Sequence, residues 1–168
     1  MQKIHLGYND DCARLLIVAG YRRGLNVRVL ALDDDKSVLK TVKTILTLSG
    51  HEVDCTDDAV VAVEMVENRR YDIVLFDYKM EGHDGIWFLE NVRLAPSTKA
   101  ILMTGYGNRK LVNSVFDLGA SGYLMKPFTA DELLKHIEYH GAKLPADMLP
   151  PENKAEKTHS TDPSEFVN

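Results

Sequence analysis

The sequence predicts an α/β fold, a doubly wound five-stranded parallel sheet with helices on both faces. Three observations lead there. Short β-rich runs alternate with helical periodicity five times between residues 27 and 140, the connections are short, and glycines or capping residues stand where one type gives way to the next. Strands each followed by a helix cannot pair as hairpins and must be parallel, which buries both sheet faces under helices.

In chain order, the first strand is read at "VRVLAL" (27–32), and Val38, Val42, Ile45 and Leu46 then share one helix face. Gly50 follows this helix in the usual place of a left-handed C-terminal cap. "EVDCT" (52–56) is the second strand, backed by a helix with Ala59, Val63 and Val66 on one side. "DIVLF" (72–76) is the third, followed by Ile86, Leu89 and Val92 at helical spacing. "AILM" (100–103) is the fourth, and its helix carries Leu111, Val115 and Leu118 and closes at Gly119. "GYLM" (122–125) is the fifth. Thr129 and Glu132 form a T-x-x-E capping box opening the last helix, with Leu133, Leu134 and Ile137 behind it. Crossovers in such a sheet are right-handed. A ligand is expected beyond the carboxyl ends of the strands, near the point where strand order reverses.

Composition narrows the function class. The chain has 168 residues, 45% of them hydrophobic and 27% charged, values typical of a globular domain with some extra length. A net charge of −5 argues against a nonspecific nucleic-acid binder, which would carry a basic face. No apolar run approaches the ~18–20 residues of a membrane span. Cys12 and Cys55 lack disulfide or metal-ligand spacing, and a cytoplasmic location is expected. Residues 1–26 form an N-terminal extension without a clean amphipathic period. Residues 27–140 are the folded unit. Residues 141–168 hold four of the six prolines and few large apolar side chains, and are expected to be a disordered tail. That tail is too short and too polar for a DNA-binding unit of ordinary size.

The first strand runs into three aspartates, "LDDD" at 32–35. Asp is a good helix N-cap, which accounts for one of them. The other strand ends complete a set: Asp33 and Asp34 after strand one, Asp77 after strand three, Thr104 after strand four and Lys126 after strand five. Each alone has an ordinary structural explanation. Together they place three carboxylates, a hydroxyl and an ammonium group at one sheet edge. Three converging carboxylates stay ionised cheaply only with a cation among them, and Mg²⁺ favours such oxygen ligands. A lysine and a hydroxyl nearby suit a phosphoryl group, which a carboxylate nucleophile can hold as an aspartyl-phosphate.

Residues 27–140 resemble the receiver domain of two-component response regulators (CheY-like), here read as standing alone. The resemblance is carried by "LDDD" at 32–35, "LFDYKMEGHDG" at 75–85, "LMTGYG" at 102–107 and "GYLMKPF" at 122–128. It implies the flavodoxin-like (βα)5 arrangement and a set of roles. Asp77 matches the phosphoacceptor. Asp34 and Asp77 match the direct carboxylate ligands of Mg²⁺, with Asp33 acting through water and Lys79 through its backbone carbonyl. Thr104 matches the switch hydroxyl, Tyr123 the aromatic that turns inward with it, and Lys126 the lysine that pairs with the phosphoryl oxygens. The Lys126–Pro127 bond is expected to be cis.

Glu81 departs from the pattern by standing where this motif usually has proline. Lys79 and Tyr106, two residues beyond the phosphoacceptor and the switch threonine, are bulky enough to obstruct water and imply a long-lived phosphoryl group. Implied partners are a sensor histidine kinase or histidine phosphotransfer protein and a downstream protein target, with neither nucleic acid nor membrane bound directly. The partner is expected to read the face built from the fourth helix, fifth strand and fifth helix, about residues 108–140, which is also available for homodimerisation. Two other readings compete. A phosphorylation-independent binding module of the same fold is opposed by the complete Asp33, Asp34, Asp77, Thr104 and Lys126 set. A Mg²⁺-dependent phosphatase would need a second aspartate where Lys79 stands, so turnover of external substrates, and with it an enzyme in the ordinary sense, is not expected.

Overall fold

A computed structural model describes residues 26–105 and 109–141. In order, its elements are β1 (Arg28–Leu32), α1 (Lys36–Leu48), β2 (Glu52–Thr56), α2 (Ala59–Asn68), β3 (Ile73–Asp77), α3 (Gly85–Asn91), β4 (Lys99–Thr104), α4 (Arg109–Asp117), β5 (Gly122–Met125) and α5 (Ala130–Gly141). The five strands form one parallel sheet in the order β2-β1-β3-β4-β5.

The central strands β1, β3 and β4 are apolar without alternation because both faces are covered, whereas the edge strand β2 alternates Glu52, Asp54 and Thr56 with Val53 and Cys55. Successive side chains still point to opposite faces, and this sorts the core into two layers. Val29, Ala31, Ile73, Leu75, Ile101 and Met103 pack with Leu39, Val42, Ile45 and Leu46 of α1 and Leu133, Leu134 and Ile137 of α5. Leu30, Leu32, Val74, Phe76, Ala100 and Leu102 meet α2, α3 and α4 through Ala59, Ala62, Phe88, Leu89, Leu111 and Val115. Two helices thus cover one face and three the other, the doubly wound arrangement.

Local chemistry explains the element boundaries. The carboxylates of Asp35, Asp58 and Asp84 accept hydrogen bonds from Ser37, Val60 and Trp87 N–H at 2.8, 2.7 and 2.8 Å, capping α1, α2 and α3. At α5 the capping box closes in both directions, with Glu132 N–H donating to Thr129 Oγ1 at 3.2 Å and Thr129 N–H to Glu132 Oε2 at 2.8 Å. Gly50 and Gly119 have φ of +89° and +99°, the left-handed conformation that suits a residue without Cβ. The Lys126–Pro127 bond is cis.

One expectation needs correction. Leu118 is exposed, because α4 ends at Asp117 and the chain has already entered the turn. Early in α3, Phe88 is fully buried and Trp87 half-buried. His51, in the loop before β2, and His136 and His140 on α5 are half-buried. The His51 Nδ1 accepts a hydrogen bond from Val27 N–H at 3.5 Å, and His140 lies against Gly122, where a Cβ would come within 2.8 Å of its Nε2. No described helix is long and apolar enough to cross a membrane. The expectations for residues 1–25 and 142–168 lie outside the described residues.

Candidate functional site

The strand order reverses between β1 and β3, which lie side by side with Leu32 opposite Phe76. The next residue on each is an aspartate, so Asp33 and Asp77 emerge next to one another at the carboxyl edge, where a ligand crevice is expected. Both are buried, at 1% and 6% exposure. Lys126 leaves β5 and reaches across the intervening β4. Its Nζ donates to Asp33 Oδ2 and to Asp77 Oδ1, each at 2.6 Å. The Lys126 N–H also donates to the Thr104 carbonyl at 2.8 Å, joining the ends of β4 and β5. Thr104 itself is buried.

Peptide N–H groups hold one oxygen of each carboxylate. Asp35 N–H donates to Asp33 Oδ1 at 3.0 Å, and Lys79 N–H to Asp77 Oδ2 at 2.8 Å. Asp34 is exposed and accepts from Glu81 N–H at 3.1 Å. Among the described residues no buried side-chain polar atom lacks a partner. The site is therefore a satisfied network, not a chance collection of charges.

Burial raises the Asp33 pKa above its ordinary value, with the Lys126 hydrogen bond and charge offsetting part of the effect. For Lys126, burial acts to lower the pKa, but hydrogen bonds and charge attraction to Asp33 and Asp77 together outweigh it and raise the value. One ammonium group faces three carboxylates, so an excess of negative charge remains. One oxygen from each of Asp33, Asp34 and Asp77 lies within 4.8 Å of the others. An all-oxygen, carboxylate-rich donor set of this kind fits a hard divalent ion such as Mg²⁺.

The response regulator receiver domain family model matches residues 29–138. The chain belongs to the response regulator receiver family. It is 34% identical over 112 residues to the transcriptional regulatory protein DltR of Streptococcus agalactiae, a match covering 66% of this chain and 50% of DltR. The chain thus spans about half the length of that curated relative. Among solved structures, it is similar to a CheY-like receiver domain protein from Methanospirillum hungatei JF-1, with a TM-score of 0.66 and 32% identity over 69% of this chain and 94% of that one. It is also similar to the Vibrio cholerae chemotaxis protein CheY4, with a TM-score of 0.64 and 28% identity over 68% of this chain and 98% of that one.

Within this receiver, Asp33, Asp34, Asp77 and Lys126 come together as expected from their places at the strand ends. Tyr123 is not brought to them. It is 44% exposed on the edge strand β5, its ring edge-on to Phe116 of α4 with centroids 6.5 Å apart. Its ring lies at the protein surface, away from the carboxylates. Lys79 is exposed, touching the site through its backbone. Tyr106 lies outside the described residues.

Two participants escaped the reading of the sequence. Gly85 lets the start of α3 pass against the end of β3, since a Cβ there would lie 2.5 Å from the Asp77 carbonyl oxygen. The second is the Glu81 peptide group, which reaches Asp34. The glycine was present in the quoted motif "EGHDG" and was the available signal for the close approach.

Proposed function

We propose that this receiver accepts a phosphoryl group on Asp77 from a histidine kinase or histidine phosphotransfer protein, in a Mg²⁺-dependent reaction, and uses it to control a partner protein or pass it on. The observation that carries this reading is Lys126 Nζ bridging Asp33 and Asp77 at 2.6 Å, with Asp34 alongside. A single preformed cation sits between a nucleophile and a metal-binding carboxylate. Residues 27–140 are the proposed signalling unit.

A carboxylate oxygen of Asp77 attacks the phosphorus of the donor. The new P–O bond forms as the donor's P–N bond breaks, and the imidazole leaves with the electron pair. Asp34, Asp77 and the Lys79 carbonyl would hold Mg²⁺ directly, and Asp33 through water. When bound, Mg²⁺ supplies neutralisation of charge on the phosphoryl oxygens. Lys126 then exchanges its contact with Asp77 for one with a phosphoryl oxygen, and the Thr104 hydroxyl donates to another. The phosphoryl group adds roughly −1.5 to −2 charge and strong acceptors at one point. It biases the state in which Thr104 has moved inward and Tyr123 has left its exposed position beside Phe116, which alters the face formed by α4, β5 and α5. That face is the proposed contact for the downstream protein and for a second copy of the chain.

The test is phosphoryl turnover with a small-molecule phosphoryl donor. Wild type is expected to become phosphorylated and to lose the group slowly. Lys79→Ala and Tyr106→Ala are each expected to shorten its lifetime, by opening the line of approach for water. An unchanged lifetime in both variants contradicts the shielding role, and failure of wild type to accept the group contradicts the function.

A further inference from the structure

The three carboxylates are not equally held. Asp33 and Asp77 are buried, and each accepts from Lys126 and from a peptide N–H. Asp34 is exposed, and among the described residues its one hydrogen-bond donor is the Glu81 N–H at 3.1 Å. That bond joins the end of β1 to the β3–α3 loop across 47 residues of sequence. Glu81 occupies the position where the resembled motif has proline, and proline has no N–H to give.

The loop around this bond is braced at both ends. Gly85 N–H donates to the Tyr78 carbonyl at 2.9 Å and His83 N–H to the Glu81 carbonyl at 3.1 Å, while the His83 ring lies 3.9 Å from that of Trp87. The Glu81 N–H is therefore presented by an organised loop. Its side chain is exposed and has no hydrogen bond or ion pair to Asp34. The backbone of this residue, not its charge, makes the contact.

We infer that the Glu81 peptide N–H is a positioning group for the divalent-ion site, fixing the most exposed of its carboxylates. The inference rests on the metal reading proposed above. Groups that orient a ligand through a hydrogen bond typically change metal affinity by 10–100-fold when removed. With one Asp34 oxygen held by the amide, the carboxylate is kept where one of its oxygens lies within 4.8 Å of one from each of Asp33 and Asp77. The loop that carries the Lys79 carbonyl is tied to the same carboxylate.

The experiment titrates Mg²⁺ alone into wild type, Glu81→Pro and Glu81→Ala, following the fluorescence of Trp87, the only tryptophan, with calorimetry as an independent readout. Glu81→Pro is expected to bind about tenfold more weakly. Glu81→Ala, which keeps the N–H and loses only an exposed charge, is expected to stay close to wild type. Thermal unfolding monitors the fold. Amide exchange in metal-free protein needs no proline variant: Glu81 N–H is expected to exchange faster in Asp34→Ala than in wild type. Equal affinities for the proline and alanine variants, or unchanged Glu81 exchange in Asp34→Ala, overturn the positioning role while leaving the metal site standing. Absence of saturable Mg²⁺ binding by wild type overturns both.

Discussion

Replacing Lys126 with methionine is expected to lower the unfolding free energy by about 3 kcal/mol at neutral pH in metal-free solution, measured by urea denaturation. The lysine is the cation between two buried carboxylates, contacting each at 2.6 Å. Removing it leaves Asp33, 1% exposed, and Asp77 facing one another without a compensating cation, held by peptide N–H groups. The lower end of the range for breaking a buried pair applies because the lysine side chain is itself 19% exposed and the site opens toward solvent. Saturating Mg²⁺ is expected to restore most of the loss.

The pH dependence follows from the two shifted groups. Asp33 has a folded pKa above its ordinary 3.8. It therefore binds its proton more tightly in the folded state, and its contribution to stability falls as pH rises from 3.8 through the folded value. Lys126 has a folded pKa above its ordinary 10.5. Its contribution is fully present below 10.5 and lost as pH rises through the folded value. Without the lysine, burial raises Asp33 further. Lys126→Met should thus recover stability on mild acidification more steeply than wild type, and a parallel pH profile for the two proteins would count against the buried pair.

Gly85→Ala is expected to reduce the rate of Asp77 phosphorylation by about 100-fold, the order of loss that follows a 1 Å misplacement of a reacting group. The added Cβ would stand 2.5 Å from the Asp77 carbonyl oxygen, 3.0 Å from Phe76 Cδ2 and 3.1 Å from Tyr78 Cα. Two of these three atoms are backbone, so no rotamer change relieves the clash. The start of α3 and the end of β3 must separate, at a cost of about 1–3 kcal/mol, and the displaced strand end carries Asp77, the proposed phosphoryl acceptor. Gly105 is the control. It adjoins Thr104, yet an added Cβ there meets nothing within 4 Å. Comparable rates for Gly85→Ala and Gly105→Ala would contradict the steric argument.

The fold was legible because each layer of physics agreed with the next. Ile73, Val74, Leu75 and Phe76 read as a strand buried on both faces, and each is fully buried. Asp35, Gly50, Gly119 and Thr129 stand where the chain needs a cap or a left-handed turn. The cluster of Asp33, Asp34, Asp77 and Lys126 was legible because a parallel sheet brings its strand ends to one edge. What escaped depends on distances that residue types do not encode. The Glu81–Asp34 contact is made by a peptide N–H common to every residue except proline. The need for Gly85 arises from a neighbouring backbone, at a φ that is not left-handed. Leu118 keeps the helical spacing of Leu111 and Val115 one residue past the point where α4 ends. Tyr123 could be assigned to β5, but its exposed orientation beside Phe116 could not.

The proposed role of Asp77 is that of a Mg²⁺-dependent phosphoryl acceptor. The most direct test is the intact mass of wild type and Asp77→Asn after incubation with acetyl phosphate or a phosphorylated histidine donor, with and without Mg²⁺. A gain of one phosphoryl group by wild type, requiring Mg²⁺ and abolished in Asp77→Asn, is the expected result. No gain from either donor, or an equal gain by Asp77→Asn, would contradict it.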